Sequence, residues 1–229
     1  PCVHTMFSSG LISTQIFPLP LEVFNLITRF PFEFIYGALS LDFQLKGKRI
    51  RHKHTWEDGF RAFEGLGTEK EKAYALGFLT HLAADIGAHH FFIPRIMKTP
   101  YGEKRLRHLM WEVRVDRWFA RRYSGLASYT IAQGHLLCDE ALLGEGELIK
   151  RGLYHVKKGV YRNGLMLNSL LPHMGPIWHR HRDIRHKMIC AYEGLLISRQ
   201  AILAVLWEGR RAWPLKFDPM GPGEGRWGE

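Results

Sequence analysis

The stretch GFLTHLAADIGAHHFF, residues 77–92 of 229, sets His81, Asp85, His89 and His90 into an otherwise apolar run. At about 100° per residue, positions four apart on a helix drift by only about 40°, so His81, Asp85 and His89 project from one side and His90 points elsewhere. An ionised Asp85 on such a face costs several kcal/mol of desolvation unless it is paired or bound to a metal. His81 and His89 lie about 12 Å apart along the axis, too far for one zinc about 2.0–2.1 Å from each. The spacing therefore predicts two metals with Asp85 between them, because a carboxylate can bridge cations about 3.5–4 Å apart. A second i, i+4 pair, His108 and Glu112 in RHLMWEVRVD, could complete the shell of the metal held by His89. Imidazole and carboxylate together predict zinc rather than calcium or magnesium. Cations so clustered lower the pKa of a bound water and neutralise phosphoryl oxygens during in-line attack, which is phosphate-ester hydrolysis. The bland reading of any one of these residues is a hydrogen-bonded core polar group; two coincident spaced sets favour the metal.

Helices must position these groups. Segments of helical period follow one another without a period-2 run between hairpin signals, which predicts an all-α fold. We expect a single-domain helical bundle over 1–213 and a flexible Pro/Gly-rich tail over 214–229. Pro18 and Pro20 lead into a helix over LEVFNLITRF, and Pro31 begins a short one through FEFIYGAL. Thr55 and Asp58 mark the start of a helix that ends near Gly65 and Gly67. Thr68 and Glu71 in TEKE make a capping box, and the helix they open is expected to reach about Phe92 and stop before Pro94. Further helices are expected over about 103–123, in IAQGHLLCDEALL, in ELIKRGLYHVKKGVYRNGLML and in DIRHKMICAYEGLLISRQAILAVLWEG.

A formal charge of +10 favours an anionic partner such as a phospholipid surface or a nucleic acid. Lys46, Lys48, Arg49, Arg51 and Lys53 form a basic loop just before His54 that could draw in such a partner; a solvated loop is the plain alternative. Trp56, Phe91, Phe92 and Trp111 flank the ligand candidates, as core or as the wall of a pocket. Cys2, Cys138 and Cys190 have no CxxC spacing and cannot all pair, which fits a reducing compartment. With neither a signal-peptide pattern nor a transmembrane segment read from the sequence, the expected location is cytoplasmic, with peripheral contact to an anionic membrane. His179, His181 and His186 lack a carboxylate at ligand spacing and read as surface residues.

Taken in order, VHTMF, GALSLDF, KHTW, HLAADIGAHH and HLMWE resemble the ligand motifs of the zinc-dependent phospholipase C family, distant kin of the single-strand-specific zinc nucleases. The resemblance covers about the first 120 residues. It implies a helical phosphodiester hydrolase with two or three zincs per chain. Carried over by position, Asp42, His54, His81 and Asp85 would hold one zinc, and His89, His108 and Glu112 a second. His4, with the shared Asp85, would hold a third. Asp42 matches an aspartate that binds metal and is a candidate base. In secreted members the third metal also takes the chain's amino terminus, whereas only Pro1, Cys2 and Val3 precede His4 here, so a two-metal site is the fallback. The short Asp85–His89 spacing makes His90 a rival to His89, and His52 similarly rivals His54. The expected substrate is a phospholipid or another phosphodiester. The alternatives are a nuclease on the same chemical plan and a non-catalytic metal-binding or membrane-associated protein.

Overall fold

The computed structural model describes residues 2–13, 19–43, 55–65, 67–96, 104–135, 138–139, 148–170 and 184–221; at 62, 104–110, 148–150, 167–170 and 184 it describes the backbone alone. Among the described residues the regular structure is helical throughout, with no strand. In chain order the helices are α1 (Cys2–Ser13), α2 (Leu21–Arg29), α3 (Pro31–Ser40), α4 (Trp56–Gly65), α5 (Glu69–Ile86), α6 (Ile93–Ile96), α7 (Lys104–Ala132), α8 (Leu148–Leu170) and α9 (Ile184–Glu208). The all-α fold matches the sequence reading.

Local chemistry accounts for the helix starts. Pro31 occupies the first position of α3, where a missing N–H costs nothing. Thr55 Oγ accepts from the Asp58 amide at 3.2 Å at the head of α4. The Thr68/Glu71 capping box is formed, with Glu71 N donating to Thr68 Oγ at 3.3 Å and Thr68 N donating to Glu71 Oε2 at 3.0 Å. From Ala73 to Ile86 every residue of α5 is buried, which makes it the central helix.

Two glycines set how closely α3 meets α5. A β-carbon on Gly77 would stand 1.9 Å from the Phe34 carbonyl oxygen, and one on Gly37 would stand 2.0 Å from the Tyr74 carbonyl oxygen. The backbones touch where side chains would otherwise separate them. That contact delivers the end of α3, with its closing 3₁₀ turn Leu41–Phe43, to the level of His81.

Three boundaries differ from expectation. The helix opened at Thr68 does not stop before Pro94: α5 passes into a π-helical segment, Gly87–Phe92, and then into α6, which contains Pro94. Pro94 has no N–H to donate to the preceding turn and its ring crowds that turn's carbonyl, so the chain widens there instead of ending. The helix expected over 103–123 runs on to Ala132 and stops before Gly134 at φ 70°. Part of the expected tail is packed: Trp213–Lys216 form a 3₁₀ turn, and Pro214 and Pro219 are buried. Residues 222–229 lie outside the described residues.

The stretch Arg185–Arg211, mostly α9, is long and apolar enough to cross a membrane by length and composition, and half of that apolar window is buried. Its packing on α5 accounts for the composition: Ser198 Oγ donates to the Ala84 carbonyl at 2.6 Å, and a β-carbon on Gly87 would meet the Gly194 carbonyl at 2.2 Å.

Candidate metal centre

Three elements converge on one cluster. α1 brings His4, the 3₁₀ turn after α3 brings Asp42, and α5 brings His81 and Asp85. Ligand atoms of His4, Asp42 and His81 lie within 4.8 Å of one another. The two Asp85 oxygens divide between the rings, Oδ2 lying 3.2 Å from His81 Nε2 and Oδ1 lying 3.7 Å from His4 Nε2. The rings stack, with centroids 4.0 Å apart. Asp85 thus stands between two imidazoles with one oxygen toward each.

Hydrogen bonding bears on what belongs between these atoms. His81 Nδ1 lies 2.7 Å from the Ala38 carbonyl, and a carbonyl can only accept, so Nδ1 carries the proton. The neutral ring then turns its Nε2 lone pair toward the Asp85 carboxylate, an arrangement that calls for a proton or a cation. Two tetrahedral zinc ligands about 2.0–2.1 Å from the metal sit about 3.3 Å apart, close to the 3.2 Å observed for this pair. His4 Nδ1 is buried without a hydrogen-bond partner, as a nitrogen reserved for another ligand would be. The donor set fits zinc.

Electrostatics agree. Burial, joined by the neighbouring His81, lowers the His4 pKa to about 3 and keeps that ring neutral, the form that binds metal. Burial alone would raise the Asp85 pKa, but His81 beside it outweighs burial and holds the carboxyl well below the usual range. Asp42 is likewise held ionised: against burial act nearby positive charge, that of His81 included, and the Tyr161 hydroxyl, which donates to Asp42 Oδ2 at 2.6 Å. Tyr161 comes from α8, as does Lys157, whose ammonium reaches the Asp42 backbone carbonyl at 3.4 Å.

A second cluster forms where the π-helical segment faces α7. His89 Nε2 lies 3.1 Å from Glu112 Oε1, and His89 Nδ1 lies 2.6 Å from the Pro219 carbonyl. The logic of His81 repeats: Nδ1 carries the proton and Nε2 faces a carboxylate. His90 instead places Nε2 2.6 Å from the Asp218 carbonyl, so His89, not His90, meets Glu112. His89 thus reaches Glu112 of α7 while staying close enough to Asp85 for each to shift the other's pKa. His108 lies one turn before Glu112 on α7, with its side chain outside the description. His52, His54 and the basic loop lie outside the described residues. Trp56 and Trp111 pack in or against the apolar clusters, as does Phe92.

Burial would lower the His89 pKa, yet the hydrogen bond to Glu112 more than compensates and raises it to about 9. Without metal, the protonated His89–Glu112 pair therefore contributes stability that is fully present below the unfolded value of 6.5 and lost as pH rises through about 9. Metal must displace that proton. Zinc affinity at this centre is expected to rise about tenfold per pH unit from about pH 7 to 9, which competition titrations with a chromogenic chelator would check; a flat profile would contradict the protonated pair.

Sequence reasoning missed several groups. The Asp116 carboxylate accepts the Val3 amide at 3.0 Å and ties down the first turn of α1, beside His4. Asp139 accepts from Tyr154 at 2.7 Å, from Lys158 at 2.7 Å and from Tyr36, forming a buried network against which Phe43 of Asp42's turn packs. The i, i+4 relation of Glu112 to Asp116 could have flagged the first; the network has no local pattern.

An all-α scaffold that gathers imidazoles and carboxylates into two adjoining clusters, one of them a candidate metal-binding group, is the class the fold and site define. The family model for zinc dependent phospholipase C matches residues 3–157, and the chain belongs to that family. The match reaches beyond the first 120 residues that carry the motifs and takes in Lys157. No curated protein and no solved structure matches the chain.

Proposed function

We propose that the protein hydrolyses phosphodiesters as a zinc-dependent phospholipase C, with phospholipid as substrate. The observation that carries the reading is the convergence of His4, Asp42, His81 and Asp85 with buried, unsatisfied or carboxylate-facing nitrogens, in a chain of this family. His4, Asp42, His81 and Asp85 would hold one group of metals, with His54 completing it, and His89, Glu112 and His108 another. Zinc bound there supplies charge to neutralise the phosphoryl oxygens and to acidify the attacking water. The chain does the rest. Asp85 divides its oxygens and stays ionised; Asp42, ionised and oriented by Tyr161, is a ligand and an acceptor that steers water rather than a reservoir for protons. Ala38 and Pro219 hold the two imidazoles by their Nδ1 protons. Three buried, unpaired cysteines suit a reducing compartment.

An apolar groove favours lipid over unpaired bases. It encloses about 240 Å³ between α1, α7 and α9, lined by Met6, Phe7, Leu11, Tyr123, Ile202 and Leu203. It begins within one turn of His4 and runs about 7.5 Å along α1, from Met6 to Leu11. Gly10 opens on it, and a β-carbon there would meet nothing within 4 Å. The test is zinc-loaded protein offered phosphatidylcholine vesicles, phosphatidylglycerol vesicles and single-stranded DNA. Diacylglycerol release from vesicles is expected, with Gly10→Leu raising KM several-fold for long-chain but not short-chain lipid. Cleavage of DNA alone would reverse the assignment, and no turnover of any substrate would leave a non-catalytic scaffold.

A further inference from the structure

We infer that the C-terminal strap Trp213–Gly221 is a positioning element of the second metal centre, its Asp218 and Pro219 carbonyls fixing the rings of His89 and His90. The inference rests on the metal-centre reading above and adds to it a part of the chain that lies outside the family match, which ends at residue 157.

The strap is built to be placed. It leaves α9 through Gly209 at φ 56°, and the Phe217 amide donates to the Pro214 carbonyl at 3.0 Å. Its tip is a turn in which Gly221 N donates to the Asp218 carbonyl at 2.9 Å and Met220 N donates to Asp218 Oδ1 at 3.0 Å. Pro219 is buried. At the strap's middle, Trp56 Nε1 donates to the Phe217 carbonyl at 2.8 Å, and the Phe217 ring packs on Phe91, His90 and Trp213. Trp56 opens α4, two residues after His54. The strap therefore links the turn after one candidate ligand to the segment that carries another.

Its two carbonyls act on consecutive residues. The Pro219 carbonyl accepts a hydrogen bond from His89 Nδ1–H, which leaves Nε2 to face Glu112, and the Asp218 backbone carbonyl accepts one from His90 Nε2–H, which holds that ring away from Glu112. A carbonyl accepting one ring N–H fixes which nitrogen remains for a metal, and such partners commonly alter affinity by about 10–100-fold. The strap thus separates the roles of two adjacent histidines, leaving His89 to face Glu112 and holding its rival His90 aside.

The test compares the full chain with a truncation after Lys216 and with Trp56→Phe, which removes the indole N–H without touching a ligand candidate. In the metal-free full chain, ¹H–¹⁵N spectra should show slowly exchanging protons on His89 Nδ1 and His90 Nε2. Both variants should lose this protection, and zinc affinity at the His89/Glu112 centre should fall about 10–100-fold for the truncation and less for Trp56→Phe, while the His4/Asp42/His81/Asp85 centre keeps its zinc. If the truncation does not fold, Trp56→Phe decides in its place. A folded variant with both ring protons still protected, or with zinc affinity unchanged despite their loss, overturns the inference. The spectra need no metal or turnover, so a protein that proves not to be a phospholipase still passes or fails this test.

Discussion

Asp85→Asn should lose zinc from the shared cluster and, with it, at least about a thousandfold in turnover, equivalent to roughly 4 kcal/mol of transition-state stabilisation. The amide keeps the shape of the carboxylate but removes the charge that faces His81 and His4. One of its two positions becomes an NH₂ group, which cannot ligate a cation and would point a donor at an imidazole. Elemental analysis beside a lipid-hydrolysis assay checks this directly. Full zinc content with full activity in Asp85→Asn would remove Asp85 from the centre. Because the carboxylate is held ionised by its neighbours, the metal-free protein should also lose stability, through the uncompensated His81.

The second large effect is expected far from any ligand. Gly77→Ala would set a methyl group 1.9 Å from the Phe34 carbonyl oxygen, and because the obstacle is backbone, no rotamer change relieves it. The helices must part, at a cost of about 3 kcal/mol, or roughly 6–12 °C in melting temperature for a chain of this size. Parting them also withdraws the Ala38 carbonyl from His81 Nδ1, a contact of 2.7 Å one residue beyond Gly37. Zinc affinity should therefore fall together with thermal stability, whereas Gly10→Ala, with open space around its β-carbon inside α1, should leave zinc affinity unchanged and not lower the melting temperature. Calorimetry and zinc titration of the two variants decide the matter; an unchanged melting temperature in Gly77→Ala would mean that α3 and α5 do not meet as described.

The parts of this molecule that sequence reveals are those written in side chains at short range. Thr68 and Glu71 announce the start of α5 because both halves of the capping box are side-chain bonds three residues apart. His81 and Asp85 announce themselves because polar groups on an apolar face need partners. α1 was not legible, since its buried residues include Thr5 and Ser8, which read as surface. The packed strap was not legible either. Its composition of proline and glycine reads as flexible, while its contribution to the site comes from main-chain carbonyls that every residue possesses. Tyr161 reaches Asp42 from 119 residues away, and no local spacing encodes that approach.

The π-helical segment carries a consequence for how lineages of such chains can vary. Each of its turns closes on i+5 rather than i+4, so residues 87–92 hold one residue more than the α-helix that would cover the same rise. Losing a single residue there would restore an α-helix and move the neighbouring histidine into the place opposite Glu112. A deletion of one residue, ruinous inside most buried helices, is therefore expected to be tolerated better here, with His90 taking over the place of His89.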